Sequence, residues 1–219
     1  MDKIYKVLND DGTPCHGGSG KWDLDGGWMP RIADIEPCER GYHLCDGDDQ
    51  LVKWLGPSIW VAEYRGDKID AEDKIVVSEA RLVRKLETWN DRTARLFACD
   101  CAEHVLGIFE SKYPGDSRPR TAIEVSRRFA VGQASEAELD AARDVAWAAA
   151  RAADWDAAWY AAWYAANAAR AAARSAAGAA AYAAFAAYAA RDAARDAARD
   201  AERKWQAERL AGYLSGEIR

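Results

Sequence analysis

A small N-terminal α+β domain followed by an all-α, Ala-rich antiparallel helical bundle or hairpin is the fold this sequence predicts. Three observations carry that expectation. Residues 1–87 are rich in Gly, Asp and Trp and hold short alternating runs of the kind that make strands. Near residue 88 the pattern turns to helical spacing. From 135 to 214 there is no proline, and 34 of the 60 residues between 141 and 200 are Ala, the best helix former. The expected division is therefore 1–87 and 88–219.

In the first part, Ile4-Tyr5-Lys6-Val7-Leu8 alternates like a strand and ends at the turn signal Asn9-Asp10-Asp11-Gly12. A Gly-rich loop follows at Cys15-His16-Gly17-Gly18-Ser19-Gly20. It lacks both the Lys-Ser/Thr of a P-loop and the spacing of a dinucleotide fingerprint, so it carries no phosphate-binding assignment. Asp48 to Leu55 reads as a short helix stopped by Gly56-Pro57. Ile59 to Tyr64 reads as a strand, with a hairpin turn expected at Arg65-Gly66-Asp67, and Lys74 to Val83 reads as another strand.

In the second part, Asn90 or Asp91 can cap a helix reaching about Lys112, with Phe97, Cys101, Val105 and Ile108 along one face. Tyr113-Pro114-Gly115-Asp116 is a turn. Pro119 suits the first turn of the next helix, where its missing N–H costs nothing. That helix shows Ala122, Val125 and Phe129 on one stripe and stops near Gly132; Arg118, Arg120, Arg127 and Arg128 make its other side basic. Ser135-Glu136-Ala137-Glu138 then reads as a capping box that opens the Ala-rich run. One unbroken helix over that run would be on the order of 120 Å long. It is expected to fold back, with a break or kink around 174–180, near Ser175 and Gly178.

Within the run, Trp155, Trp159 and Trp163 fall at i, i+4 and i+8, with Tyr160 and Tyr164 on the adjacent row. An Ala face lets helices approach closely but buries little area. The aromatics supply it, at roughly 150–250 Å² each. Packing is thus the expected role of this row. The sharper alternative is a cleft in which these rings, rimmed by Arg151, Arg170 and Arg174, stack on a nucleotide-like small ligand.

The formal net charge is −6, and residues 1–80 hold nine basic against seventeen acidic side chains. No large basic field exists to track a phosphate backbone, which argues against nucleic acid as a partner. The polar, mixed-charge N-terminus predicts no signal peptide, and the longest uncharged stretch, Ser175 to Ala190, is too short to span a bilayer. Five Cys without a secretory context predict reduced thiols and a cytoplasmic protein. Cys15, His16, Cys38, His43 and Cys45 are the candidate metal ligands. Their spacings lack the paired CxxC pattern of a zinc site, so buried thiols and a hydrogen-bonded His are expected instead, with zinc as the alternative. No cofactor is expected.

The blocks Ala94-Arg95-Leu96-Phe97-Ala98-Cys99-Asp100-Cys101-Ala102-Glu103 and Lys112-Tyr113-Pro114-Gly115-Asp116-Ser117-Arg118-Pro119-Arg120, together with the Ala-rich run, resemble the putative immunity-protein family of bacterial polymorphic toxin systems. The resemblance covers roughly 90–215. Where that family's run usually carries His, this one carries Tyr, Phe and Trp. The N-terminal part, through Tyr5-Lys6-Val7-Leu8-Asn9 and Glu39-Arg40-Gly41-Tyr42-His43-Leu44-Cys45, is similar to small domains of uncharacterised actinobacteriophage proteins. The resemblance implies a non-catalytic immunity or counter-defence protein, of phage or prophage type, that neutralises a protein partner through its helical domain. A homo-oligomer is expected. Two alternatives stand beside it: a sponge-like protein holding a nucleotide-type ligand, and an enzyme in the N-terminal domain, although no catalytic Glu stands in a recognisable motif.

Overall fold

The structure is a computed structural model that describes residues 3–152, 163, 167 and 186–218, the side chains of 186–199 excepted. The chain divides into two compact units, Met1–Trp89 and Asn90–Arg219.

The first unit is a closed antiparallel barrel of β1 (Ile4–Leu8), β2 (Tyr42–Asp46), β3 (Ser58–Asp70) and β4 (Ile75–Lys85), in the order β1-β2-β4-β3, with a short helix α1 (Asp48–Leu51) after β2. Its core follows from period-two alternation: Ile4, Leu8, Leu44, Ala62, Ile75, Val77, Ala80 and Leu82 pack together, and Trp22 from the long loop plugs them. Strand β2 pairs with only the first part of β4, at Val77, Val76 and Ile75. The loop covers the edge beyond it, where Met29 donates to the Ala80 carbonyl at 2.8 Å and Ile32 to that of Ser78 at 2.9 Å. An edge so covered is not available for stray pairing. Outside the sheet, the guanidiniums of Arg65 and Arg81 lie 4.2 and 5.0 Å from the Trp28 ring centre.

Arg65-Gly66-Asp67 is not a hairpin turn. Strand β3 runs straight through it as a bulge between the pairs Arg65↔Glu79 and Lys68↔Val77, and the chain reverses later, where Ala71 donates to the Lys74 carbonyl at 2.9 Å. Gly66 has φ 80°, and the Asp67 amide donates to Ser78 Oγ at 2.9 Å. A Cβ at Gly66 would stand 2.3 Å from that oxygen. The Gly-Asp pair therefore marks a bulge that turns on a serine across the ladder, a partner that local turn chemistry does not reveal. Strand β2 is likewise too short and polar a run for alternation to announce it.

The second unit comprises α2 (Asp91–Lys112), α3 (Arg118–Ala130), α4 (Glu136–Ala152) and α5 (Ala186–Ser215). Asn90 caps α2 by accepting from the Arg92 and Thr93 amides, while Thr93 Oγ1 accepts from the Asn90 amide. At the start of α4, the Ser135 amide donates to Glu138 Oε2 at 2.8 Å and Ser135 Oγ accepts from the Glu138 amide at 3.2 Å, as its capping box predicts. Pro119 sits in the first turn of α3. Cys99, Ala102, Leu106 and Phe109 of α2 pack with Ile123 of α3 and with Ala149 and Ala150 of α4. Ala122, Ala142 and Ala146 pack together between α3 and α4. The expected break at 174–180 lies outside the described residues. None of the described helices is long and apolar enough to cross a membrane.

Trp89 belongs to the barrel: it is 2% exposed, and its indole N–H donates to the Gly56 carbonyl at 2.9 Å. We expect the fragment 1–89 to melt cooperatively by itself and Trp89→Ala to destabilise it by about 3–5 kcal/mol. Circular dichroism melts of the two read both outcomes, and a fragment with no cooperative transition would show that the units do not fold independently.

Candidate functional site

The strongest concentration of charge-bearing chemistry lies between α2, α3 and α5. Asp100, Glu103 and His104 stand one turn apart on α2, and Glu202, Trp205, Gln206, Arg209 and Tyr213 follow helical spacing along α5, so each set lies on one stripe. Asp100 is 5% exposed. Its Oδ1 meets Arg127 Nη1 of α3 at 2.6 Å; its Oδ2 accepts from Arg209 Nε at 2.6 Å and from the Tyr213 hydroxyl at 2.7 Å. Arg127 also donates to Glu103. Burial works against the charge on Arg127, but the carboxylates of Asp100 and Glu103 hold its proton more firmly than usual. Burial, then the Asp100 charge, keeps Tyr213 in the phenol form.

One turn further along, Glu202 is 4% exposed and accepts from His104 Nδ1 at 2.5 Å and from Gln206 Nε2 at 3.0 Å. The His104 ring stacks flat on Trp205, with centroids 3.8 Å apart and 7° between planes. Both oxygens of Asp100 are engaged, so it is not free to act as a base. The His104–Glu202 pair has the form of a catalytic dyad, but among the described residues no hydroxyl or thiol hydrogen-bonds to the other ring nitrogen. What this layer does is fasten α5 to α2 and α3.

The basic side of α3 is likewise answered from its own unit. Arg118 pairs with Asp116, Arg120 with Glu110, Arg127 with Asp100 and Glu103, and Arg128 with Glu138. Helical spacing places these Arg on α3; Asp116 is a local partner in the preceding turn, and only the fold shows the other carboxylates on α2 and α4.

Of the expected aromatic row, Trp163 is partly buried, packs on the core of Cys99, Leu106 and Phe109, and meets Trp147 edge-on at 6.2 Å. Arg151 is exposed. Trp155, Trp159, Tyr160, Tyr164, Arg170 and Arg174 lie outside the described residues, and with them the ligand cleft.

The two histidines among the candidate metal ligands serve the backbone instead. His16 Nε2 lies 2.8 Å from the Trp54 carbonyl and 3.1 Å from that of Leu55, while His43 Nε2 accepts from the Cys38 amide at 2.9 Å. Burial first, and then Lys6 and Lys74, lower the His43 pKa, which favours the neutral imidazole that accepts this bond. Burial pushes the Cys45 thiol up to about 12 and also raises Cys15. Among the described residues no group of three or more His, Cys, Asp or Glu could hold a metal ion. Zinc at Cys15, His16, Cys38, His43 and Cys45 is therefore not favoured by the geometry.

Two tests follow from this geometry. Asp100→Asn leaves two guanidiniums facing a neutral amide and should cost about 3–5 kcal/mol, read as a fall in melting temperature. In alkylation at pH 8 followed by mass spectrometry, exposed Cys38 should be labelled first. Cys45, Cys99 and Cys101, buried and held as thiols, should be protected until the chain unfolds.

Comparison with curated proteins and with solved structures gave no match. A family model did match, over residues 84–213, and its description is Imm-5 like putative immunity protein. That stretch spans more than half of the chain and includes Asp100, Arg127, Glu202, Arg209 and Tyr213, the residues that fasten the helices. By this match the chain belongs to the Imm-5 like putative immunity protein family.

Proposed function

We propose that this protein is a non-catalytic immunity protein that neutralises a protein partner by binding it through the helical unit. The observation that carries this reading is the place of the family match: residues 84–213 coincide with the helical unit, Asn90–Arg219, and leave most of the barrel outside. A surface of capped helices tied by a buried charge layer supports it, because a rigid face loses little conformational freedom on binding. The dyad-like pair at His104 serves helix docking in this reading. Counter-defence of phage or prophage type, with the barrel as an accessory, is the setting we infer from the N-terminal resemblance.

The test is neutralisation of a toxin encoded beside this chain. Co-expression of the full chain should restore growth of cells carrying the toxin, and the two should elute together in size-exclusion chromatography with light scattering, which also reports any homo-oligomer. His43→Ala and Glu63→Ala should neutralise as well as the parent. Loss of neutralisation in either variant, folded and equally stable, would move the reading to an enzyme in the barrel. Growth rescue without a complex would overturn neutralisation by binding.

A further inference from the structure

The barrel holds a lysine whose ammonium has no role in the helical unit. Lys6 lies on β1 between Ile4 and Leu8, both in the barrel core, so alternation turns it to the same inner face. Its Nζ donates to the His43 carbonyl at 3.0 Å and stands 4.9 Å from the Trp22 ring centre. Among the described residues it has no carboxylate partner. Its other charged or titratable neighbours are Cys45 and Cys15, whose thiols burial holds neutral, and His43, whose pKa is lowered. Burial pulls the Lys6 ammonium down to about 8, the mark of a cation without a counter-ion.

Directly across the ladder, Lys6 pairs with Trp60, placing the two side chains about 5 Å apart at Cβ on one face. Trp60 packs on the barrel core, and its indole nitrogen is buried with no hydrogen-bond partner among the described residues. A buried indole N–H without an acceptor is a net cost to the fold. An ammonium without a carboxylate partner and an indole N–H without an acceptor thus belong to side chains paired across one rung of the ladder, and the ammonium lies against the ring of Trp22. Both Lys6 and Trp60 keep part of their surface in solvent.

We propose that Lys6 and Trp60 form a binding site for a monocarboxylate, one oxygen taken by the ammonium and the other by the indole N–H, with Trp22 against its apolar substituent. The single cation, in a part of the chain that carries nine basic and seventeen acidic side chains over residues 1–80, selects a singly charged planar anion over phosphate. The indole nitrogen is closed to solvent, so a carboxylate reaches it only as the side chains over it move aside. The carboxylate belongs either to a free small acid or to the C-terminus of a peptide. This site is independent of the helical unit and of the immunity reading.

The experiment is a titration of the full chain, with its Trp residues labelled with ¹⁵N, by propionate, by a short peptide ending in Ala, and by the same peptide amidated. The Trp60 indole resonance is assigned with Trp60→Phe. Propionate at millimolar concentration should shift that resonance saturably, and sodium phosphate at equal ionic strength should not. A peptide that outcompetes propionate and loses its effect on amidation identifies a C-terminus; propionate acting alone identifies a free acid. Only the protonated amine binds, so affinity holds below about pH 8 and is lost above it, falling about thirtyfold between pH 6.5 and 9.5. Lys6→Met should abolish the shift and Lys6→Arg should restore part of it. If Lys6→Met does not fold, the pH series on the parent protein decides. No saturable shift at Trp60, an equal response to phosphate, or an affinity indifferent to pH would each overturn the proposal.

Discussion

The helical unit depends on one buried carboxylate. Asp100 alone would be costly to bury as an ion, since desolvating such a charge costs several kcal/mol in a protein interior. It is tolerated because Arg127 comes from α3, Arg209 and Tyr213 come from α5, and all three aim at its two oxygens. The constraint works in both directions. Asp100 needs both helices in place, and the two guanidiniums need Asp100. A directional charge layer orients α3 and α5 on α2, whereas α3 and α4 meet through the small side chains of Ala122, Ala142 and Ala146.

The barrel solves a different problem. Four strands enclose a narrow core, and its volume is completed by Trp22 from the loop rather than by the strands. The loop then returns along β4, where Met29 and Ile32 bond to an edge that β2 is too short to cover. Trp28 stacks under Arg65 and Arg81, each of which pairs with a glutamate across the ladder, Glu79 and Glu63. A Gly- and Trp-rich loop that reads as irregular sequence is therefore an integral part of the sheet's packing.

Much of the fold was legible in the chain. The caps at Asn90 and Ser135, the helix faces led by Phe97 and Ala122, and the strand at Ile4–Leu8 all follow from interactions within a few residues. The bulge at Gly66 was not, because the serine that defines it lies across the ladder at Ser78. The candidate site was the least legible part. Asp100 reads as an ordinary polar residue between two Cys, and nothing in its neighbourhood points to Arg209 and Tyr213 more than a hundred positions away. One signal was present: Glu202, Gln206, Arg209 and Tyr213 keep helical spacing, a polar stripe on a helix otherwise rich in Ala.

By itself the sequence determined what depends on local contacts: where helices start, which residues prefer strands, and the division into a Gly- and Trp-rich part and an Ala-rich one. It also carried the family, through the blocks around Asp100 and Pro114. Tertiary structure decided what depends on partners distant in the chain: closure of the barrel, burial of Asp100 and Glu202, and the pairing of Lys6 with Trp60 in place of a carboxylate. The physical reason is that the charge state and exposure of a side chain are set by everything packed around it. That surrounding is assembled only when strands and helices far apart in sequence meet.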